Sequence, residues 1–320
     1  MKNLKDYIKE SVLDSSNVIT MDVDIKKQQI MDFISKNYKE NTPLGASENI
    51  DLSKLEFINK RNKNNKVVVN YLGSIIFDSN NSSLVSDDFV WGTTHNFIIL
   101  FNNTLETLEG CPETTESFYC SHSKKLVSLK GCPKKINGTF DCSYNDNLVK
   151  LDCKDTIVNG GSVNLESCKK LKDLSDFPSG TIRNIRLSGC KMIKSLEGLP
   201  SNITGSIDCT NCINLVTLKG CPIKIGNHVI INNTKIEDLE YCPQEGVIDI
   251  KIISCKKLKS LRGLPKRIKG KFVCTNNSLL DSIEYIPEYV FSMIFNNNFI
   301  EPTEHDILKI CNVRSNHIQL

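Results

Sequence analysis

The stretch Ile207-Asp208-Cys209-Thr210-Asn211-Cys212-Ile213-Asn214-Leu215-Val216-Thr217-Leu218-Lys219-Gly220-Cys221-Pro222 decides the reading of the fold. It opens on an alternation, Ile207-x-Cys209, and passes a small residue at Cys212. It then reaches a pair, Leu215-x-x-Leu218, and closes on Gly220-Cys221-Pro222. The pair returns nine times, as Leu105/Leu108, Leu126/Leu129, Leu148/Leu151, Leu171/Leu174, Ile193/Leu196, Leu215/Leu218, Ile236/Leu239, Leu258/Leu261 and Leu280/Ile283. Its second member recurs after 21, 22, 23, 22, 22, 21, 22 and 22 residues, and a proline stands four residues beyond it in eight of the nine units. A fixed period of this size marks a solenoid, whose units stack on one another, and not a single closed globule.

The alternation before each pair, from Phe118/Cys120 and Phe140/Cys142 through to Phe272/Cys274, reads as a short strand with one face buried. Three residues past it comes a small group, at Asn145, Cys168, Cys190, Cys212, Thr234, Cys255, Asn277 and Asn298, which stacking would turn into a ladder. The expectation is a repeat β-solenoid with a parallel β-sheet of short strands, about nine coils of 22 residues over 102–300. The outward strand positions then line up as columns. Tyr119, Asp141, Arg186, Asp208 and Lys251, with His122 and Tyr144 beside them, are the candidate binding residues, because tyrosine and arginine dominate protein hot spots. The same mixed columns would also serve as an ordinary solvated sheet face.

The succession Ile207-x-Cys209-x-x-Cys212-x-x-Leu215-x-x-Leu218 resembles the leucine-rich-repeat family. That resemblance covers about 97–300 and implies a curved scaffold used for protein recognition. Most units here place two residues, not one, between the Asn/Cys position and the next Leu, a departure that bears on the turn after the strand. The wording Gly131-Cys132-Pro133-Lys134-Lys135-Ile136-x-Gly138-x-Phe140-x-Cys142-Ser143-Tyr144-Asn145 is similar to repeat proteins of large tailed bacteriophages. The opening Met1–Ser11 is similar to the capsid-targeting peptides of some phage internal proteins. The resemblances imply a non-enzymatic, protein-binding phage product in the host cytoplasm; as an alternative, they imply a virion-associated protein packaged by its N-terminal peptide.

Outside the repeats, Leu4, Tyr7, Ile8, Ser11 and Val12 fall at helical spacing, and Ile30, Phe33 and Ile34 do so again in Asp24–Tyr38, with Asp14–Asn17 as the turn between. Residues 1–45 are thus expected to be a helical segment and linker, and 46–101 an irregular β-rich N-terminal cap. Residues 301–320 are expected to be a helical C-terminal cap in which Thr303 offers its hydroxyl to free N–H groups.

Composition narrows the function classes. Forty Lys+Arg against 37 Asp+Glu leave a net charge of +3, and the basic runs, such as Lys266-Arg267-Ile268-Lys269, are short, so no nucleic-acid partner is expected. No apolar run is long enough for an export signal or a membrane span, and a cytoplasmic protein is expected. Of the fourteen cysteines all but Cys311 fall within the repeats. Cys209-x-x-Cys212 has the spacing of half a zinc site, yet Leu187 and Cys190 fill the same places one unit earlier, so reduced structural thiols and no metal are expected. The five histidines, His95, His122, His228, His305 and His317, join no local nucleophile or carboxylate motif. Neither a catalytic residue nor a cofactor is expected.

Overall fold

A computed structural model of the 320-residue chain describes all but residues 1–14, 42–46, 63, 78–82 and 315–316, and not the side chains of 15–25, 41, 47–48 and 59–61. The expected first helix, over Leu4–Val12, lies outside the described residues. The second is longer than its periodicity suggests: it runs Ser15–Asn37, so Ser15–Asn17 are helical and not a turn. Ile30 and Ile34 bury its inner face against the rest of the molecule.

The chain is a parallel β-solenoid of about 11 turns with roughly 22-residue spacing. The alternating residues read from the sequence stand in register from coil to coil. Phe118 pairs with Phe140, Phe140 with Val163, and the column continues through Ile185, Ile207, Val229, Ile250 and Phe272 to Met293. All of them are buried, and so are both members of every Leu pair except the half-buried Ile283.

The ladder is longer than nine coils. Val67–Tyr71 and Ile75–Phe77 already pair in parallel with Phe89–Leu100, which pairs in parallel with Thr114–Ser121. At the other end Asn312–Val313 and Ile318–Gln319 pair in parallel with Tyr289–Asn296. These turns lack the Leu-x-x-Leu-x-Gly-Cys-Pro signature, but they supply what stacking needs, inward apolar residues such as Ile75, Phe77 and Val313. Among the described residues, those before Val67 depart from the solenoid: Leu55–Arg61 runs antiparallel to Val67–Tyr71, and Tyr38–Asn41 antiparallel to Ile75–Phe77.

The C-terminal helix is a single short one, Glu304–Leu308, with Thr303 and Asp306 closing a capping box. It links two coils, because the strands at Asn312 and Ile318 follow it, and of its residues only Ile307 is buried.

Each typical coil carries two short strands. Lys135–Ile136, Ile157–Val158, Asn202–Ile203 and Lys224–Ile225 form a first side, and the strands at Phe140, Val163, Ile185 and Ile207 form a second. The Leu pairs line the third. Two corners use left-handed backbone. At the Gly-Cys-Pro corner Gly220 has φ +86°, and an added Cβ would sit 2.4 Å from the backbone of Glu197 in the preceding coil, so glycine is required there.

The other corner is tied by side chains. Asn145 Nδ2 donates to Cys120 O of the preceding coil at 2.8 Å, and its Oδ1 accepts from Ser123 N at 2.7 Å. In the following coils the thiols of Cys168, Cys190 and Cys212 take over, donating to Cys142 O, Leu165 O and Leu187 O at 3.2, 3.0 and 3.1 Å. These are bonds of protonated thiols, and each of the fourteen cysteines is free.

Two predictions follow from this packing. Leu218 is 1% exposed whereas Asp208 lies on the outward face, so Leu218→Asp buries an unpaired carboxylate, costs several kcal/mol (about 3 or more) and unfolds the coil; Asp208→Ala shifts stability by less than about 1 kcal/mol. Thermal unfolding of the two variants checks the phase, and equal melting temperatures would refute it. Burial also pushes the thiols of Cys168 and Cys242 from 9.0 up to about 12. The unfolded chain releases those protons near pH 9 and the folded one only near 12. Stability is therefore full below pH 9 and falls above it, by about 1.4 kcal/mol per pH unit for each such thiol. Chemical unfolding at pH 8 and pH 10.5 measures the loss.

Candidate binding face

Five of the seven candidate residues share one column. The register runs Tyr119, Asp141, Asn164, Arg186, Asp208, Ile230, Lys251, one residue per coil. Six steps at about 4.8 Å make this a straight row of roughly 29 Å. Asp141 is held firmly: its Oδ1 accepts from Ser143 N and Oγ at 2.9 and 2.6 Å, and its Oδ2 accepts from Asn164 Nδ2 at 2.9 Å. Asp208 repeats the pattern with Thr210 N at 2.8 Å. Arg186 is exposed and has no ion-pair partner among the described residues. Beside it lies a cleft of about 270 Å³ lined by Asn184, Arg186, Ser206, Asp208 and Ile230.

One neighbouring column places Ser206, His228 and Asp249 in consecutive coils, a set of residue types that invites comparison with a hydrolytic triad. The bonds are of another kind. Ser206 Oγ accepts from the main-chain N of His228 at 3.2 Å, Asp249 Oδ1 accepts from Lys271 N at 2.7 Å, and His228 Nδ1 lies 3.0 Å from Asp249 Oδ2. Asn184 Oδ1 accepts from Ser206 N in the same way at 2.9 Å. The column is a row of side-chain rungs to the next coil's backbone, and each acceptor is occupied in holding two coils together.

His122 and Tyr144 stand at the corner just past the strands, together with a residue that the sequence reading passed over, Phe101. The three rings stack in a ridge: Phe101 on His122 with centroids 4.6 Å apart and planes at 14°, His122 on Tyr144 at 4.7 Å and 6°. The spacing is that of neighbouring strands, so the coil repeat itself sets the stack. All three occupy left-handed backbone, with φ of +55°, +57° and +56°. The equivalent positions in later coils are Ser167, Gly189, Asn211, Asn233, Ser254, Asn276 and Asn297, all with positive φ and all small or Asx-like. Bulky residues there cost about 1–2 kcal/mol each, which stacking at about 0.5–1.5 kcal/mol per pair only partly offsets. Fold stability alone therefore gives no reason for three aromatic rings at this corner. The signal was available in the sequence, as a large ring directly before the buried small residue. Phe101 escapes the repeat pattern because no Leu-x-x-Leu-x-Gly-Cys-Pro turn precedes its strand.

Tyr144 Oη donates to Glu166 Oε1 at 2.9 Å, and the carboxylate raises the phenol's pKa above its ordinary value. The cysteines add no second site. Cys209 and Cys212 are both buried, and among the described residues no three His, Cys, Asp or Glu side chains come together as metal ligands. Among the same residues no helix is long and apolar enough to cross a membrane. No family model matches the chain, and neither a curated protein nor a solved structure matches it.

Because asparagine takes the left-handed conformation readily, Tyr144→Asn should change folding stability by less than about 1 kcal/mol in spite of the lost stacking. Denaturant unfolding checks this; a loss above about 2 kcal/mol would make the ridge a structural element.

Proposed function

We propose that the chain is a leucine-rich-repeat-like, non-enzymatic scaffold, encoded by a bacteriophage, that recognises a protein partner in the host cytoplasm through its strand face. The observation that carries this reading is the column from Tyr119 to Lys251: side chains of different chemistry held at even spacing, several of them fixed by hydrogen bonds before any partner arrives. Such preorganisation lowers the ordering cost of association. Fourteen free thiols suit a reducing compartment.

The test compares two pairs of charge reversals in the full chain. Arg186→Glu with Lys251→Glu alters the strand face, and Lys172→Glu with Lys194→Glu alters the exposed side of the Leu pairs. A protein captured from bacterial extract by the wild type should be retained by the second variant and weakened at least about tenfold by the first, some 1.4 kcal/mol. Equal retention by both variants, or loss by the second alone, would move recognition off the strand face.

A further inference from the structure

We propose that the ridge of Phe101, His122 and Tyr144, with Leu100 beside it and the carboxylates Asp141 and Glu166 at its edge, is the anchor site for a polypeptide segment that carries an arginine or lysine next to apolar side chains. The inference rests on the scaffold reading and names the partner's chemistry.

Three observations support it. Phe101 is 61% exposed, Tyr144 41% and Leu100 38%, so the N-terminal third of this face presents an apolar ledge where later coils present Ser, Gly and Asn. An apolar patch at one end of an otherwise small and polar row of corner residues marks an interaction surface, and aromatic anchors are what hot spots are built from. The stack fixes the rings before binding, since each covers a face of the next while Phe101 and Tyr144 stay exposed to a ligand. Side chains so ordered lose little rotamer freedom on association.

Charge decides the rest. Over the first coils the two outward columns of the second side, Ile98, Tyr119, Asp141, Asn164 and Leu100, Ser121, Ser143, Glu166, hold two carboxylates, Asp141 and Glu166, and no lysine or arginine; the first cation in either is Arg186. Among the described residues neither carboxylate has an ion-pair partner, although each accepts hydrogen bonds from neutral groups that hold it in place. The nearest lysines along the chain, Lys124 and Lys125 after His122 and Lys169 and Lys170 after Glu166, come after the corners at the buried Ser123 and Cys168, and the latter two are engaged with Asp146 and Asn147. A ledge of apolar rings beside two fixed negative charges without ion-pair partners complements a cation flanked by aliphatic or aromatic groups, with guanidinium the better match because it bonds carboxylates in bidentate fashion and packs against apolar groups.

A library of random twelve-residue peptides, panned on the full chain, tests the proposal. The wild type should enrich sequences with Arg or Lys next to Leu, Ile, Phe or Trp. The strongest such peptide should bind roughly tenfold or more weakly to the triple variant Phe101→Asn, His122→Asn, Tyr144→Asn. That variant keeps the left-handed corner, as Asn211 does in its own coil. Asp141→Asn with Glu166→Gln should weaken the same peptide and remove the bias for basic sequences. Enrichment of acidic or uncharged peptides, or unchanged binding to the triple variant, overturns the proposal, and a peptide lost only with Arg186→Glu does so while leaving the scaffold reading intact. Failure to enrich any peptide also overturns it, and the capture experiment on the strand face then judges the scaffold separately.

Discussion

The carbonyl of the second inward residue of each strand is the group on which the stack depends. In a solenoid it points along the inside of a corner, where water has no access, and an unsatisfied buried carbonyl costs about 1–3 kcal/mol per coil. In seven strands the next coil supplies it with a side-chain donor: Asn145 for Cys120 O, Cys168 for Cys142 O, Cys190 for Leu165 O, Cys212 for Leu187 O, Cys255 for Ile231 O, Asn277 for Ile252 O and Asn298 for Cys274 O; Cys209 O accepts instead from Cys212 N of its own corner, and Leu165 O and Leu187 O accept such a backbone bond in addition. Asparagine and cysteine can replace each other here because the site takes a donor of small volume, and a thiol kept protonated by burial provides it as an amide does. This explains an abundance of cysteine that involves no disulfide.

The surface repeats the coil spacing with charges, to less effect. Lys134 pairs with Glu113, Lys169 with Asp146, Lys219 with Glu197 and Lys259 with Glu237, each pair linking adjacent coils at 2.8–3.2 Å. All eight side chains are about half exposed or more, and such pairs contribute at most about 1 kcal/mol, screened by salt. They favour the register without creating it. The in-register column of buried Phe, Val and Ile does that, since a one-residue slip would turn every one of them to solvent.

The two ends of the stack are built differently. Antiparallel strands and the helix Ser15–Asn37 follow different rules from the coils and close the first turn. The last turns keep the parallel pattern through Ile318–Gln319, with Leu308, Ile310 and Leu320 exposed around them. Between these ends the coils differ mainly in what they show outside. The aromatic ridge sits near the first end, the cleft by Arg186 in the middle, and the basic positions Lys251 and Lys271 toward the last.

The period, the buried phase and the small-residue ladder were all legible in the sequence, because each coil must offer its neighbour the same groups at the same places and so repeats them in the text. The outward column from Tyr119 to Lys251 followed from that phase. What escaped was whatever stacks without repeating the wording. The turns at Val67–Leu100 and Asn312–Gln319 need only inward apolar residues to join the ladder, and such residues carry no signature. The first strand of each coil, signalled only by one buried residue such as Ile136 or Ile225, was hidden behind the proline. Tertiary structure alone brought Phe101, His122 and Tyr144, 21 and 22 residues apart in the chain, into contact at 4.6 and 4.7 Å. The face that a ring turns to its neighbour is set by the coils above and below it, which one repeat does not contain.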